Sequence, residues 1–478
     1  MLVMDFVSLL VMGCLMLVLQ VLAPNRFMGM LYFGVFFGLI VMSRDLMGIE
    51  HPLLSYGIPQ VHAPWSDFNP WSFLSFPMSL RVYWLGICLA VLVVGQVYWR
   101  RSLVGGRQLA RLNLSHKIQL GLASALVAST GVYIAYNIHW INPYVVESEI
   151  NALRAEYERK FALYQTLPMP RTQRMDLEVD LHLDERLILI QGQQYLENKS
   201  ETPIYEVHLV FPPCNTVTSL KIGDRDFEKP HDDFNYFKVD LSRPAEPGET
   251  VVVDFKMSYQ REGFPHQEPN TRLVENGLFI QSNRLSAHVG YDPNYQLEDN
   301  RVRKQLGLVE LSERPSLEDR SQWNNHVIRQ DSDFIDYQMT ISTETGQQVV
   351  APGKLVGVYE SGGRIFSQFQ TRKLIKNLFA IQAGEYEVLS DQWRDVDLEV
   401  YFHPKHGYNV NELMLALKDS VALFSQEFSP YPFNVLRIVE LPGYQKIAQS
   451  FPTTIAFSED FGFLADLSSG ELNMPYFI

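Results

Sequence analysis

Two histidines stand close together in "HPKH" (His403, His406), the nearest approach to a metal-ligand pair in the chain. A zinc pair on one helix face needs a spacing of four and a general-base Glu between the imidazoles. Here Pro404 follows the first His and Gly407 the second, which predicts a solvated turn after a strand. "EKPHDD" (228–233) reads as another solvated turn, and "NKS" (198–200) matches a glycosylation sequon that matters only on a eukaryotic secretory route. Residues Ile447–Phe463 read IAQSFPTTIAFSEDFGF, a strand-like stretch after which no His or Cys follows. No His-Glu-x-x-His, Gly-x-Ser-x-Gly, Walker loop, Cys-x-x-Cys or EF-hand loop occurs anywhere. Of the three cysteines, Cys14 and Cys88 lie in apolar runs and Cys214 is isolated, so neither a disulfide nor a cysteine zinc cluster can form in the polar part.

The elements that would position these residues fall into distinct regimes. Val410, Leu413, Leu417, Val421, Phe424 and Phe428 make one helical stripe, with Asn409 or Asn411 to cap its start. The strands "LEVYF" (398–402), "FNVLRIVEL" (433–441) and "TIAFSE" (454–459) flank that helix. A β–α–β–β order begins an α/β layer over 393–478. From 170 to 392 the period is two. Met175, Leu177, Val179, Leu181 and Leu183 alternate with polar residues, and "LILIQGQQYLEN" runs back after a turn at Asp184–Arg186. Further strands are expected at "VHLVF" (207–211), "TVVVDFKMSY" (250–259), "GLFIQS" (277–282), "DYQMTIST" (336–343) and "RIFSQFQ" (364–370). This predicts an all-β, sandwich-like domain. Before it, Val146, Ile150, Leu153, Tyr157, Phe161 and Tyr164 form a helical stripe ending at Pro168, read as a stalk over 145–169.

Residues 1–144 are different again. Phe6–Ala23, Phe27–Ser43, Val82–Trp99 and Ile118–Ile138 are four uncharged apolar runs of about the length that crosses a bilayer. They predict a four-helix transmembrane region. Arg100, Arg101, Arg107, Arg111 and Lys117 share one loop without an acid, which marks it as cytoplasmic. The loop 44–79 and everything after Trp140 then face outward. So do the residues before the first run, and further spans are expected to precede them. Gly34/Gly38 and Gly121/Ala125/Ser129 suit either close helix packing or a lipid-facing surface. No Asp, Glu, Lys or His stands mid-span to make an ion path. Residues 1–144 hold eight Lys/Arg against four Asp/Glu, while 145–478 hold 32 against 50, a net −18. So acidic an outer part repels nucleic acid and anionic lipid heads.

From about Ala155 onward the chain resembles the non-catalytic amino-terminal part of the gluzincin (membrane alanyl) aminopeptidases. It is most similar to the branch fused behind the membrane spans of bacterial ABC-type permeases. The stretches that carry this are "AEYERKF" (155–161), "VGYDPNYQLEDNRVRKQLGL" (289–308), "VVAPGKLVGVYESGGR" (349–364), "VYFHPKHGYNV" (400–410), "LPGYQKIAQSFPTTIAFSEDFGF" (441–463) and the outer loop "HAPWSDFNPW" (62–71). The resemblance implies a β-saddle domain over 170–392, then the incomplete start of a thermolysin-like domain over 393–478. It implies a bacterial inner membrane protein whose carboxy-terminal domain is extracytoplasmic. Membrane lipids, a separate ABC ATPase and a peptide or protein substrate would be its partners. In that family a Gly-Ala-Met-Glu-Asn strand holds the peptide, and its Glu binds the free amino terminus. Ungapped, these residues fall on Ile447, Ala448, Gln449, Ser450 and Phe451. Serine cannot pair a charged amine. Glu459 is the nearest acid, either a substitute for that Glu or a structural acid. The zinc helix would lie beyond Ile478, so residues 1–478 are expected to contain no catalytic residue and to bind no zinc. The implied function is a membrane-anchored, permease-fused, metallopeptidase-like protein that binds or hydrolyses peptides. The alternatives are a transport permease component or a non-catalytic peptide-binding module.

Overall fold

The structure, a computed structural model, describes residues 2–42, 51–54, 56, 65–99, 113–227, 234–264, 266, 273–311, 316, 318–320, 331–444 and 446–465. "EKPHDD" and most of the basic loop lie outside these residues. The chain divides into two compact units. One comprises Met1–Trp65, Pro70–Val146 and Glu262–Gln267, and the other Ser66–Asn69, Glu147–Arg261 and Glu268–Ile478.

The first unit is helical: Leu2–Leu22, Arg26–Val41, Ser75–Tyr98 and Leu114–Tyr136, the last running through a π-turn to Ile141. Asn25 and Asn113 cap two of these helices, accepting from the N–H of Met28 at 3.0 Å and of His116 at 2.8 Å. Among the described residues only Ser75–Tyr98 and Leu114–Ile141 are long and apolar enough to cross a membrane, which corrects the expectation of four spans to two. The shorter apolar helices are Phe6–Leu22 and Arg26–Val41. At 1.5 Å per residue the second is about 24 Å long, against a hydrocarbon core of about 30 Å. Of the two roles open to Gly34, Gly38 and Gly121, close helix packing falls to other glycines. A Cβ on Gly86 would meet Val127 at 2.8 Å and one on Gly95 would meet Val18 at 2.9 Å, whereas Gly34, Gly38 and Gly121 have nothing within 4 Å.

The second unit is built on a nine-stranded sheet. Its strands are β1 (Arg171–His182), β2 (Leu187–Glu197), β4 (Thr216–Ile222), β5 (Arg225–Phe227), β7 (Thr250–Gln260), β10 (Phe334–Thr343), β12 (Lys354–Ser361), β13 (Arg364–Gln370) and β14 (Ile375–Lys376). The order is β12-β13-β10-β1-β2-β7-β4-β5, with β14 on β10, and only β1 and β10 pair in parallel. Alternation puts Leu177, Val179, Ile188, Ile190, Phe255, Met257, Met339 and Ile341 on one buried face. Gly192 in β2 leaves room for the Phe255 ring, which an added Cβ would meet at 2.4 Å.

Two three-stranded sheets contribute to the same core. They are β6-β3-β9 (Tyr236–Ala245, Ile204–Val210, His288–Val289) and β11-β15-β8 (Gln348–Val350, Ala380–Gly384, Leu278–Gln281). The sequon asparagine is buried, its amide donating to the carbonyls of Thr202 and Ala245, so it is a turn residue and no surface acceptor. Helix Glu147–Phe161, read as a stalk, buries Tyr157 among Phe234, Tyr236 and Tyr291. Glu158 in that helix accepts from Arg303 at 2.7 Å.

An α/β layer follows, of order β16-β17-β18-β20-β19 (Glu387–Trp393, Val396–Phe402, Val435–Leu441, Thr454–Ser458, Ala448–Phe451). β17, β18 and β20 are mutually parallel, and β16 and β19 are antiparallel to their neighbours. Helix Val410–Glu427 lays Leu413, Ala416 and Leu417 on Leu398, Val400, Ile438 and Phe457.

Candidate functional site: an open edge strand and a charged crevice at the strand ends

Parallel strands that end side by side leave a crevice at their carboxyl ends, where ligands of α/β layers bind. Here β17 runs into His403 and His406, β18 ends on Glu440 and Leu441, and β20 runs into Glu459. The histidines that the sequence places in a solvated turn are buried: His406 is 1% exposed, Glu440 0% and Glu459 1%. Glu440 is the organiser. Its Oε1 lies 2.6 Å from His406 Nδ1 and its Oε2 accepts the His403 N–H at 2.6 Å. Tyr386 donates to the Glu440 carbonyl at 3.0 Å.

The remaining partners come from residues 66–69, more than 300 positions earlier in the chain. Asp67 Oδ2 lies 3.1 Å from His406 Nε2. Ser66 donates from Oγ to Glu459 Oε2 at 3.2 Å, and the Gly443 N–H donates to Oε1 of the same carboxylate at 2.8 Å. Phe68 is 5% exposed, with its ring centroid 4.8 Å from His403 and 5.9 Å from Tyr386. Gly277 accommodates this ring. Its φ is +77°, and a Cβ there would meet Pro442 at 2.5 Å and Phe68 at 3.0 Å.

The electrostatics follow from burial and contact. Burial alone would lower the His406 pKa. The hydrogen bond and charge of Glu440, then the bond to Asp67, override it and raise the imidazole to about 8. His403 goes the other way: burial and the neighbouring His406 charge push it down to about 4. Burial raises Glu459 to about 7 and raises Glu440 too, with His406 pulling Glu440 back. The bond to His406 lowers Asp67. His406 thus lies between two carboxylates that favour its charged form.

His406, Glu440 and Glu459 each bring one donor atom within 4.8 Å of the others, yet they do not fit a catalytic zinc. A zinc-binding imidazole must offer a bare nitrogen lone pair. Both nitrogens of His406 face carboxylates, a setting that favours a proton on each nitrogen over a bare lone pair. No step through zinc is derived for the described residues.

The residues that the resemblance aligned with a peptide-holding strand form the edge strand β19. Ala448 and Ser450 are exposed, Gln449 is half-buried and Phe451 is buried. Among the described residues β19 pairs only with β20, through Ala448–Phe457, Gln449–Ala456, Ser450–Ile455 and Phe451–Thr454. Among the described residues no strand pairs with its other side. Glu459 does not join that edge; it is turned into the crevice, to Ser66 and Gly443. Of the crevice residues, His406 was singled out in sequence but read as solvated, Asp67 and Phe68 figured only inside the stretch 62–71, and Glu440 was given no role. One signal was legible: "VLRIVEL" is a buried parallel strand interrupted by Glu440, and an acid at such a place needs a partner.

No family profile matches the chain, and no curated protein matches it. Among solved structures it is similar to a mutant of the M1 zinc metallopeptidase from Deinococcus radiodurans, with TM-score 0.40 and 14% identity over 60% of each chain. The same mutant bound to a Tyr-Ser-Ala substrate gives a TM-score of 0.39 at 14% identity, again over 60% of each chain. A two-domain M1 zinc metallopeptidase bound to L-arginine gives 0.41, at the same identity and coverage. The chain spans 60% of the length of these peptidases.

Proposed function

We propose that this chain is a membrane-anchored, peptidase-like protein whose second unit binds extended peptides outside the cytoplasm. The observation that carries the reading is the open edge of β19. Strand addition at such an edge provides affinity through main-chain bonds and leaves side chains alternating to either side. Ser450 stands exposed there without a carboxylate for a peptide amino terminus, so the edge holds a peptide interior better than its charged end. Zinc and hydrolysis belong to residues other than those described, in a full-length metallopeptidase.

Membrane anchoring is supported by the helix Leu114–Ile141, of whose apolar window only 11% is buried. A core helix of a soluble domain would be mostly buried. Fusion to an ABC-type permease, a separate ATPase partner, contact with membrane lipids and a bacterial inner membrane location complete the proposal and rest on the sequence resemblance.

The test is peptide binding to the full chain in detergent, comparing an extended peptide with its backbone N-methylated copy. Strand addition predicts that methylation weakens binding at least about tenfold, through lost main-chain bonds. Equal binding of the two would contradict it. A membrane-impermeant thiol reagent should label Ser361→Cys from outside intact cells, and failure to label would overturn the outward placement. Co-purification of an ATPase with the full-length protein is expected from the permease reading.

A further inference from the structure

We infer that the strand-end crevice is a recognition site for an acidic–aromatic chain segment, and that Ser66–Asn69 occupies it as a captive ligand whose hold depends on the protonation of the crevice. This is independent of the edge-strand reading, because it uses none of the β19 contacts.

All four residues of the segment are held, each by a different chemistry. Ser66 accepts the Phe68 N–H at 3.2 Å and donates its own hydroxyl hydrogen bond to Glu459. Asp67 faces His406, with Lys405 Nζ 3.7 Å from its other oxygen. Phe68 fills the aromatic slot of His403, His406 and Tyr386. Its carbonyl accepts from Asn276 Nδ2 at 3.3 Å. Asn69 reads the backbone of Asn276 in both senses, accepting from its N–H at 3.1 Å and donating to its carbonyl. Asn276 in turn accepts the Glu385 N–H at 2.8 Å, which fixes its side chain. Loops that merely cross a surface bury few polar groups. Ser66 at 1%, Phe68 at 5% and Asn69 at 6% exposure are buried like interface anchors.

The ligand class follows from the lining. An imidazolium and a lysine select an acid at one position, and an aromatic slot selects a ring at the next. A side-chain amide completes the segment by pairing with backbone. The charged and titratable groups that face the segment are His403, Lys405 and His406 after β17, Glu440 at the end of β18, and Glu459 after β20. The buried Tyr386 also faces the segment edge-on at Phe68 and the buried Tyr444 hydrogen-bonds Asn69, while Asp460 is paired with Lys446 at 3.9 Å. The pairing of His406 with Asp67 sets the pH dependence. His406 is raised from 6.5 to about 8, so its pairing with Asp67 is complete below 6.5 and lost as pH rises through 8. Glu459 is raised to about 7 by burial, while the Ser66 hydroxyl that donates to it favours its charged form, so this contact does not weaken as pH rises. The segment is therefore gripped near pH 6 and loosened near pH 9.

Hydrogen exchange of the full chain in detergent tests this. Protection at residues 276–277, 403–406 and 441–444 should fall at least about tenfold between pH 6 and pH 9, after correction for the intrinsic rate. Phe68→Ala should reproduce that loss at pH 6. The less disruptive Asp67→Asn should abolish most of the pH dependence while leaving the nine-stranded sheet protected. Added in trans to the Phe68→Ala protein, a capped peptide of sequence Trp-Ser-Asp-Phe-Asn-Pro should restore protection saturably, and a scrambled peptide should not. Unchanged protection in both variants, a pH profile that Asp67→Asn leaves intact, or equal rescue by the scrambled peptide would each overturn the proposal.

Discussion

The core of the nine-stranded sheet and the end of the α/β layer solve burial in opposite ways. In the first, Leu177, Ile190, Phe255 and Ile341 exclude water with hydrocarbon alone. In the second, Asp67, His406, Glu440 and Glu459 meet where three parallel strands stop. A hydrocarbon core is indifferent to pH and sensitive to volume. A charged crevice is sensitive to both, because each carboxylate is buried only on condition that a proton or a donor accompanies it. The first region supports shape, and the second is where this chain can recognise something.

That contrast can be broken by mutation, beginning with the largest effect. Phe255→Ala should cost about 3–5 kcal/mol through the cavity it leaves, equally at pH 6 and pH 9, as read by denaturant unfolding. A pH-dependent loss would mean that the sheet core is coupled to the crevice. Glu440→Gln should cost about 3 kcal/mol at pH 6 by leaving His406 without its closest anion, and less at pH 9, where that imidazole is already neutral. An equal loss at both values would show that Glu440 acts by shape. The unsubstituted chain should itself lose roughly 1–2 kcal/mol between pH 6 and pH 9. That figure follows from the His406 shift reduced for solvent screening. Smallest of all, Lys418→Ala removes an exposed ion pair with Asp391 and should leave Tm within error.

Legibility in the sequence follows the same division. The alternation of Met175, Leu177, Val179 and Leu181 announced a strand with one dry face, and the stripe Leu413, Leu417, Val421 announced the helix on the α/β layer, because both signals are local. The helix Arg26–Val41 was misread as a span because composition reports apolarity, while crossing also needs length. His406 was read as solvated for a related reason. Pro404 and Gly407 do mark a turn, but local chemistry is silent on what packs over a turn. Its cover, Asp67 and Phe68, comes from a loop 339 positions away, and a separation of that size leaves no mark on spacing or period. The strand β19 was found through a resemblance and not through any pattern of its own four residues.

The account depends most on the statement that the cation among these buried carboxylates is a proton on His406. Histidine ¹⁵N chemical shifts of the full chain, followed from pH 5 to 10 and assigned by His406→Gln, measure this directly. The account predicts a ring doubly protonated at pH 7 that titrates near 8, in protein purified without stoichiometric zinc. A neutral His406 at pH 7, with one nitrogen shifted by bound metal, would contradict it.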